Sequence, residues 1–479
     1  MNSQPYLSFS LDLDRSANGT TTLQIVEALA AEIGGNGNAA GYRLPPVRRL
    51  ALQLGVSKNT IQVAYDELVA RGLVESRSRV GLFVVDSSGG SGERVPEAEA
   101  FGPELLAWDG LAEVECDRGL TDLSNVFLDR NILPMERLTS AFRSISCEAR
   151  FPEMYSLQGY KPLREKIAER LRYRGMDAEA DHIVITAGSQ MALDLAFRGL
   201  KRKVVAVESP AYYTQKLALV QGEFEVVKLP VDPFNGLDLD LWEAQIKKYR
   251  PSLLSVVPNF QNPTGYSYTT SERETILKWS AEYGFGILED DWGSDMMSYS
   301  EFSPSFRSRG GTNVLYVNSF TKKLMPSLRI GYVLGNEKTV QSLARIKAYT
   351  SLGVPTLAEM GLFEFLDKGY YDAHLKSIQG IVDERYRSCL ELLENLMPEG
   401  VKWTRPGGGP ALWLNLPESI DLEKLSRGMK EEGYLIRTVE GADAKESHLH
   451  GFRLGYAWGS TETLERALER LGREIVNLK

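Results

Sequence analysis

Near the start of the chain, the spacing of apolar and polar positions predicts three helices and a short hairpin. Apolar residues recur at helical spacing over residues 23–33, and two glycines follow them. A second short helix is predicted after a Pro-Pro pair, and a third after Ser57, whose hydroxyl can cap its N-terminus. The third helix is predicted to bury five side chains, those of Ile61, Ala64, Tyr65, Leu68 and Val69. With two β-rich runs over residues 73–76 and 82–85, the segment predicts a winged helix-turn-helix.

Over the later part of the chain, short β-branched runs alternate with amphipathic segments. The runs read HIVITAG, KVVAVES, SLLSVVPN, FGILEDD and NVLYVNSF. This alternation predicts a large α/β domain built on a mainly parallel sheet. Before it, SSGGSGERVPEAEAFGPE has the composition of a flexible linker. We therefore expect a winged helix over residues 20–86, a linker over 87–117 and an α/β domain over 118–479.

Composition narrows the class of protein. The chain has 479 residues, more than one ordinary core accommodates, with 43% hydrophobic and 25% charged residues. We see neither a secretory leader nor a run of about 18 apolar residues that would cross a membrane, so the cytoplasm is the expected compartment. Three scattered cysteines form no CxxC pair, and His448 and His450 lack further ligands. Neither a disulfide framework nor a metal site is expected.

Charge is distributed unevenly along the chain. The net charge is −9, which argues against general affinity for nucleic acids. Residues 42–80, however, hold seven Arg or Lys against three Asp or Glu, a pattern that an ordinary solvated face would also produce. The first residues of a recognition helix face the major groove of DNA. Candidate DNA contacts are therefore Ser57, Lys58, Asn59, Thr60 and Gln62 on that helix, Arg48 before it, and Arg77 and Arg79 in the hairpin.

A longer motif supports this assignment. The run GYRLPPVRRLALQLGVSKNTIQVAYDELVARGLVESRSRVGLFV resembles the DNA-binding domain of the GntR family, with the pattern LPxxRxLAxxLGVSxxTxxxAYxxLxxxG and a basic wing. Two departures occur, since Pro46 stands where the family usually has Ser, and Arg79-Val80 replaces a common Gly-Ser. The resemblance implies a double-stranded DNA operator as partner.

Polar residues follow the predicted strands of the α/β domain. Gly188, Ser189 and Gln190 lie between a strand and a helix, a weak motif by itself. Tyr212 follows a Ser-Pro pair, and Asn262 precedes Pro-Thr-Gly. The remaining candidates are Asp290 at the end of a buried strand, and Ser319, Thr321, Lys322 and Arg329 in VNSFTKKLMPSLRIGY. Adjacent lysines such as Lys322 and Lys323 usually form an exposed pair.

Together these residues meet the demands of pyridoxal 5′-phosphate (PLP). PLP needs a lysine amine for its aldehyde, a carboxylate for its pyridine nitrogen, and a stacking ring. Its phosphate calls for a helix N-terminus and a cation. A carboxylate such as Asp290 at a buried strand end is costly without a cationic partner, and a pyridinium is one. The order of these residues along the chain therefore indicates a PLP site.

The whole α/β region is similar to the fold-type I aminotransferases, in the branch fused to GntR domains and known as MocR/GabR-type regulators. The resemblance is carried by YxxxxGYxPLRxxIAxxL, ITAGSQMALD, ExPxY, NPTG, EDD, SFTKxLxPSLRxGY and FRLGYAW. It implies that Lys322 binds the PLP aldehyde, Asp290 the pyridine nitrogen and Asn262 the ring hydroxyl, with Tyr212 stacking on the ring. The phosphate cup would combine Gly188, Ser189, Gln190, Ser319, Thr321 and Arg329.

Two further residues matter to this resemblance. Arg453, in GFRLGYAW, is similar to the arginine that clamps a substrate carboxylate. Trp292 stands where these regulators commonly carry a tyrosine, so the hydroxyl contact from that position is lost or supplied elsewhere.

The resemblance implies a homodimeric, PLP-dependent transcription regulator that senses an amino acid or an amine through external aldimine formation. The alternative is an active aminotransferase with an appended DNA-binding domain, because Asp290, Lys322 and Arg453 are all present. A third interpretation is a PLP fold that has lost its cofactor. Retention of transaminase turnover after deletion of residues 1–86 would favour the enzyme.

Overall fold

The computed structural model describes residues 6–7, 11, 20–35, 40–77, 80–85, 119–148, 156–211, 219, 222–296, 304–438 and 449–479. The chain separates into two compact units, Met1–Val114 and Glu115–Lys479. The predicted linker (residues 87–117) lies outside the described residues, as do Arg79, Tyr212 and His448. Within the described part of the chain, no helix has both the length and the apolar character needed to cross a membrane.

The N-terminal unit is the predicted winged helix. Its helices are α1 (Thr21–Gly35), α2 (Val47–Leu54) and α3 (Lys58–Ala70). Strands β1 (Val74–Arg77) and β2 (Gly81–Val84) pair in antiparallel fashion to form the wing. Ser57 caps α3 as predicted, because its Oγ accepts a hydrogen bond from the Thr60 backbone N–H at 3.1 Å. Three helices and a hairpin are confirmed as the architecture of this unit.

The core of this unit is small and apolar. Leu29 of α1, Leu50 of α2, and Ile61 and Leu68 of α3 are fully buried within it. The predicted burial of Val69 is wrong, since its side chain is 39% exposed. Successive helical residues are turned by about 100°, so the face that buries Leu68 turns its neighbour toward the edge of the helix.

The C-terminal unit is organised around a seven-stranded sheet. Its strand order is β4-β10-β9-β8-β7-β5-β6. All neighbouring strands run parallel except β10, which is antiparallel to both β4 and β9. The five β-branched runs of the sequence are thereby confirmed as strands of a mainly parallel sheet. The strands are β4 (Ile183–Thr186), β5 (Val204–Ser209), β6 (Glu225–Pro230), β7 (Leu253–Val256), β8 (Gly286–Asp290), β9 (Val314–Ser319) and β10 (Gly331–Leu334).

Helices cover both faces of this sheet. Val205 belongs to the apolar cluster that includes Leu193 and Leu343, whereas its neighbour Ala206 belongs to the cluster of Trp242 and Ile276. Successive strand residues point to opposite faces, so both faces of each strand are buried. The helices are α4 (Met135–Glu148), α5 (Lys161–Tyr173), α6 (Ser189–Arg198), α7 (Leu239–Tyr249), α8 (Thr270–Tyr283), α9 (Glu337–Thr350) and α10 (Thr356–Asp367).

A smaller layer completes the unit. The long helix α11 (Tyr370–Leu396) leads from the seven-stranded sheet to a three-stranded sheet of order β11-β12-β14. A short parallel pair joins β13 to β3, which follows the predicted linker. The elements are β3 (Thr121–Asp122), β11 (Lys402–Trp403), β12 (Ala411–Asn415), α12 (Leu422–Glu431), β13 (Tyr434–Leu435), β14 (Gly451–Gly455) and α13 (Thr461–Asn477).

The direction of the strands decides where polar residues meet. Strands β5, β7, β8 and β9 are parallel neighbours, so their carboxyl ends share one edge of the sheet. Asp290 ends β8 at this edge, and the loops that follow β7 and β9 there hold Asn262 and Lys322. Ligands of open α/β sheets bind outside the carboxyl ends of the strands. The carboxyl-terminal edge of the large sheet is therefore the expected ligand-binding region.

One buried hydrogen bond ties the recognition helix to the rest of the winged helix. The Tyr65 hydroxyl donates to the Pro45 carbonyl at 2.7 Å. In Tyr65→Phe that carbonyl would be left buried without its donor, at a cost of about 1–2 kcal/mol. We expect amides of α3 to exchange hydrogen about tenfold faster in this variant, as measured by mass spectrometry. Val63→Ala, a change at a residue 48% exposed on the same helix, serves as control and should leave exchange nearly unchanged.

Candidate functional site

A carboxylate stands at the centre of the sheet edge. Asp290 is the last residue of β8 and is buried, and its Oδ1 has no hydrogen-bond partner among the described residues. Burial raises the pKa of Asp290 to about 6, against the effect of the Lys322 ammonium. A buried acceptor without a donor is costly in a folded protein. The position suits a ligand that brings its own N–H group, as a pyridinium does.

A lysine faces the same space. Lys322 lies in the loop after β9, and its Nζ is 3.9 Å from the centroid of the Trp292 ring. Burial, followed by the charge of Arg453, lowers the pKa of Lys322 to about 7, although Asp290 acts in the opposite direction. The aromatic contact stabilises the ammonium, but loss of hydration is the larger effect. The lowered pKa of Lys322 favours the neutral amine, which is the form that attacks an aldehyde.

A cup suited to a phosphate begins at helix α6. Gly188 caps this helix with a φ of 85°, and Ser189 and Gln190 form its first turn. A Cβ on Gly188 would lie 2.9 Å from Nη2 of Arg329, so glycine gives this guanidinium its space. Arg329 Nη2 also donates to the Ala187 carbonyl at 2.9 Å. Backbone N–H groups at a helix N-terminus beside a cation form an anion site.

The other wall of the cup comes from the end of β9. Ser319 Oγ lies 2.9 Å from Thr321 Oγ1, and both residues are buried. Ser319 pairs with Gly331 of β10, which pairs on its other side with Thr186 of β4. This register brings the hydroxyls of the β9 loop beside the start of α6. The residues present therefore fit PLP, with Asp290, Lys322 and the cup each facing one part of it.

An arginine is fixed at the opposite side of this space. Arg453, on β14, donates from Nη1 to Asn262 Oδ1 at 2.6 Å and from Nη2 and Nε to the Ser124 carbonyl at 2.6 and 3.1 Å. At least three of its five N–H groups are thus used in hydrogen bonds. They hold the guanidinium in one plane, as bidentate binding of a carboxylate requires. The structure thus brings together Asn262, in the loop after β7, and Arg453, on a strand of the other sheet.

Trp292 stands at the position where MocR/GabR-type regulators commonly have a tyrosine, and it makes different contacts. Its indole Nε1 donates to the Phe260 carbonyl at 3.1 Å, and the ring packs with Val126, Val257 and Ala411. The residue therefore forms an apolar wall against Lys322 and offers no hydroxyl. Tyr212, the predicted stacking residue, lies outside the described residues.

Several polar residues behind the site were not singled out from the sequence. The expectation that adjacent lysines are exposed is wrong for Lys323, whose side chain is fully buried. It pairs with Asp295, which also pairs with Arg174. Ser124 was missed because it acts through its backbone carbonyl, which no side-chain pattern reveals. No local signal identified Lys323, because its partner Asp295 lies 28 residues away along the chain.

The predicted DNA contacts form two groups. Arg48, Lys58 and Asn59 are exposed at the starts of α2 and α3. Others are engaged within the unit: the Ser57 and Thr60 hydroxyls lie 2.8 Å apart, Gln62 donates to Asp66 at 2.9 Å, and Arg77 pairs with Glu75 at 2.8 Å. Base contacts by this second group would require these local bonds to open.

Comparisons with known proteins match both units. The family "Aminotransferase class I and II" matches residues 124–471, and "Bacterial regulatory proteins, gntR family" matches residues 21–84. The uncharacterized HTH-type transcriptional regulator YdcR of Escherichia coli (strain K12) is 27% identical over 94% of this chain and 98% of its own. HTH-type transcriptional regulator NorG of Staphylococcus aureus (strain N315) is 25% identical over 90% of this chain and 98% of its own.

Solved structures match the α/β unit. LysN, an α-aminoadipate aminotransferase from Thermus thermophilus complexed with N-(5′-phosphopyridoxyl)-L-leucine, is 29% identical with a TM-score of 0.68. The match covers 75% of this chain and 93% of LysN. Kynurenine aminotransferase from Pyrococcus horikoshii, in complex with PMP, is 26% identical with a TM-score of 0.69, and the match covers 75% and 92% of the two chains.

Gly188 provides a direct test of the cup. In Gly188→Ala the new Cβ would displace Arg329 and strain a φ of 85°, so we expect affinity for PLP to fall at least about tenfold. Equilibrium dialysis measures that affinity. Gly284→Ala is the matched control, because Gly284 has a similar φ of 73° with open space around it. Equal PLP affinity in the two variants would contradict the proposed place of the phosphate.

Proposed function

Since the chain belongs to the aminotransferase class I and II family and carries a GntR-family domain, we propose that it is a transcription regulator of the MocR/GabR type, controlled through its PLP site. One observation carries the proposal: a winged helix with an exposed recognition helix shares a chain with a site whose residues fit PLP. An enzyme needs no such helix, whereas a regulator needs both parts.

PLP is the cofactor of this family, and it supplies an electrophilic aldehyde that condenses with primary amines. Lys322 would hold the aldehyde, and Asp290 would accept the pyridine N–H through its buried Oδ1. The start of α6, Ser319, Thr321 and Arg329 would bind the phosphate. Asn262 would bond the ring hydroxyl, and Tyr212 would stack on the ring.

The winged helix would bind an operator in double-stranded DNA. Lys58 and Asn59, exposed at the start of α3, would enter the major groove, and Arg48 would bind a phosphate. Ser57, Thr60 and Gln62 would add contacts nearby, and Arg77 and Arg79 would reach the backbone from the wing. Paired half-sites would suit a homodimer, acting in the cytoplasm where the DNA lies.

The effector would be an amino acid or an amine. Its amino group would compete with Lys322, and the Nη1–Nη2 edge of Arg453 would bind a carboxylate in bidentate fashion. Binding there would act on the hydrogen bonds that Arg453 makes with Asn262 and Ser124. A ligand shifts a conformational equilibrium only if it binds the two states differently, and these bonds are one source of that difference.

Aminotransferase activity is the second candidate function. It is favoured by Lys322, whose lowered pKa suits a general base, together with the fixed Arg453 and the 29% identity to an aminotransferase. Regulation requires the winged helix within residues 1–86, whereas aminotransferase activity does not require it. Turnover with common amino acids that survives deletion of this segment would make the enzyme the primary function.

The main experiment follows the PLP absorbance and DNA affinity of the same protein. We expect purified protein with PLP to show a visible absorbance band that Lys322→Ala loses. Amino acids and amines are then screened for a change in this band, and each positive ligand is tested for DNA binding. A ligand that changes the band and leaves DNA affinity unaltered would contradict regulation through this site.

Lys58 tests the DNA-binding surface. In Lys58→Ala, loss of one positive charge against the phosphates that line the groove should weaken operator binding and reduce the slope of log affinity against log salt by up to about 1. Lys161→Ala, at an exposed lysine of the other unit, should leave the slope unchanged. Fluorescence anisotropy at several salt concentrations measures both.

A further inference from the structure

A segment at the start of the chain packs against the winged helix. The Leu7 backbone N–H donates to the Arg43 carbonyl at 2.8 Å, and Tyr6 forms a parallel bridge with Arg43. On its other side, Arg43 forms an antiparallel bridge with Phe83 of β2. The Leu7 side chain is buried in the apolar core of this unit. The hydrogen-bonded layer of the wing therefore continues to Tyr6, outside the range 21–84 that matches the GntR family.

The Tyr6 ring brings two arginines together. Its centroid lies 5.5 Å from the Arg43 guanidinium carbon and 5.9 Å from that of Arg49, an exposed residue at the start of α2. Both distances fall within the range of about 6 Å over which an aromatic ring attracts a cation. A Cβ on Gly81 would lie 2.8 Å from Arg43 Nε, so a glycine in the wing leaves this side chain its space. Two guanidiniums are thus held beside one ring.

Arg43 also faces the groove between α3 and the wing. The groove has a volume of about 660 Å³, and Gln62 of α3 and Arg77 of β1, both predicted DNA contacts, share its lining with Arg43. Arg77 is paired with Glu75, and the acidic residue among the described lining residues, Asp66, accepts a hydrogen bond from the Gln62 amide. In the described part of the chain, neither guanidinium beside the ring has a carboxylate partner. An anion bound here would therefore meet uncompensated positive charge.

The shape of DNA indicates which anion this would be. A recognition helix lies in the major groove, as proposed for Lys58 and Asn59 at the start of α3. The wing lies beside that helix, so the sugar–phosphate strand that borders the major groove passes between the two. The groove that Arg43 faces has this position, and Arg49 follows Arg48, a predicted phosphate contact. The anions nearest to both guanidiniums in a DNA complex are therefore phosphates of that strand.

We propose that Arg43 and Arg49, held by the Tyr6 ring, form a phosphate clamp for the DNA strand that passes between the recognition helix and the wing. This inference rests on the proposed binding of a DNA operator. Arginine binds phosphate through two parallel N–H groups, which suits it to such a clamp. The contact depends on the charge of the DNA backbone and not on its base sequence. Tyr6 acts as the positioning residue, because its ring keeps both side chains beside the groove.

The test measures the affinity of the full chain for DNA as salt concentration varies. The probe is a fluorescently labelled duplex of mixed sequence, roughly three helical turns long, because phosphate contacts do not require a particular sequence. In Arg43→Gln and in Arg49→Gln we expect affinity at low salt to fall about fivefold. The slope of log affinity against log salt should decrease by up to about 1 in each variant. Fluorescence anisotropy measures both quantities.

Two further variants separate local contact from general charge. Arg71→Gln removes the same charge from an exposed arginine at the other end of α3, where it is paired with Glu67, and should leave affinity and slope nearly unchanged. Tyr6→Ala should weaken binding about threefold although no charge is lost, since the ring attraction that holds the arginines is worth about 0.5–1 kcal/mol. Tyr6→Phe keeps the ring and should bind as the unaltered protein does. Circular dichroism verifies that each variant is folded.

The outcomes that would overturn the inference are distinct. Arg43→Gln and Arg49→Gln variants with the same slope and affinity as Arg71→Gln would reject the phosphate clamp, while DNA binding and the proposed function would stand. Equal losses of affinity in Tyr6→Phe and Tyr6→Ala would reject the role of the ring. Failure of the unaltered protein to bind the duplex even at low salt would reject the proposed function itself.

Discussion

The opposition of Asp290 and Lys322 in a poorly hydrated space is the constraint on which the rest of the structure depends. Burial raises the pKa of the carboxyl to about 6 and lowers that of the amine to about 7, because lost hydration disfavours both charged forms. Such a pair is tolerated only where the surrounding fold is rigid. The parallel strands β8 and β9 supply that rigidity, because their ladder fixes the two chain ends side by side.

The three-stranded sheet contributes a guanidinium to the site, which the strand ends of the seven-stranded sheet do not. A site made only from strand ends of the seven-stranded sheet would hold PLP on one side. Arg453 of β14 reaches across to Asn262, in the loop after β7. This hydrogen bond joins the two layers, as does the bond from Thr404 Oγ1 to the Thr264 carbonyl, and it places a guanidinium opposite the lysine. Arg453 and the residues that fit PLP thus come from different layers of one unit.

Much of the fold could be predicted from the sequence, because local patterns encode it. The β-branched runs and the cap at Ser57 are local signals, and they correspond to the strands and to the start of α3. The buried state of Lys323 and the carbonyl of Ser124 depend on partners 28 and 329 residues away along the chain. No local pattern encodes such pairings. The predicted burial of Val69 is wrong for a related reason, since spacing alone does not fix where the edge of a buried helical face lies.

The hydrogen bonds between Arg453 and the Ser124 carbonyl also connect the site to the start of the second unit. Ser124 lies close after β3, near the point where the described chain resumes at residue 119, beyond the segment that leads back to the winged helix. A ligand that displaced the Arg453 guanidinium would therefore also break its hydrogen bonds with the Ser124 carbonyl, five residues after the first described residue of this unit.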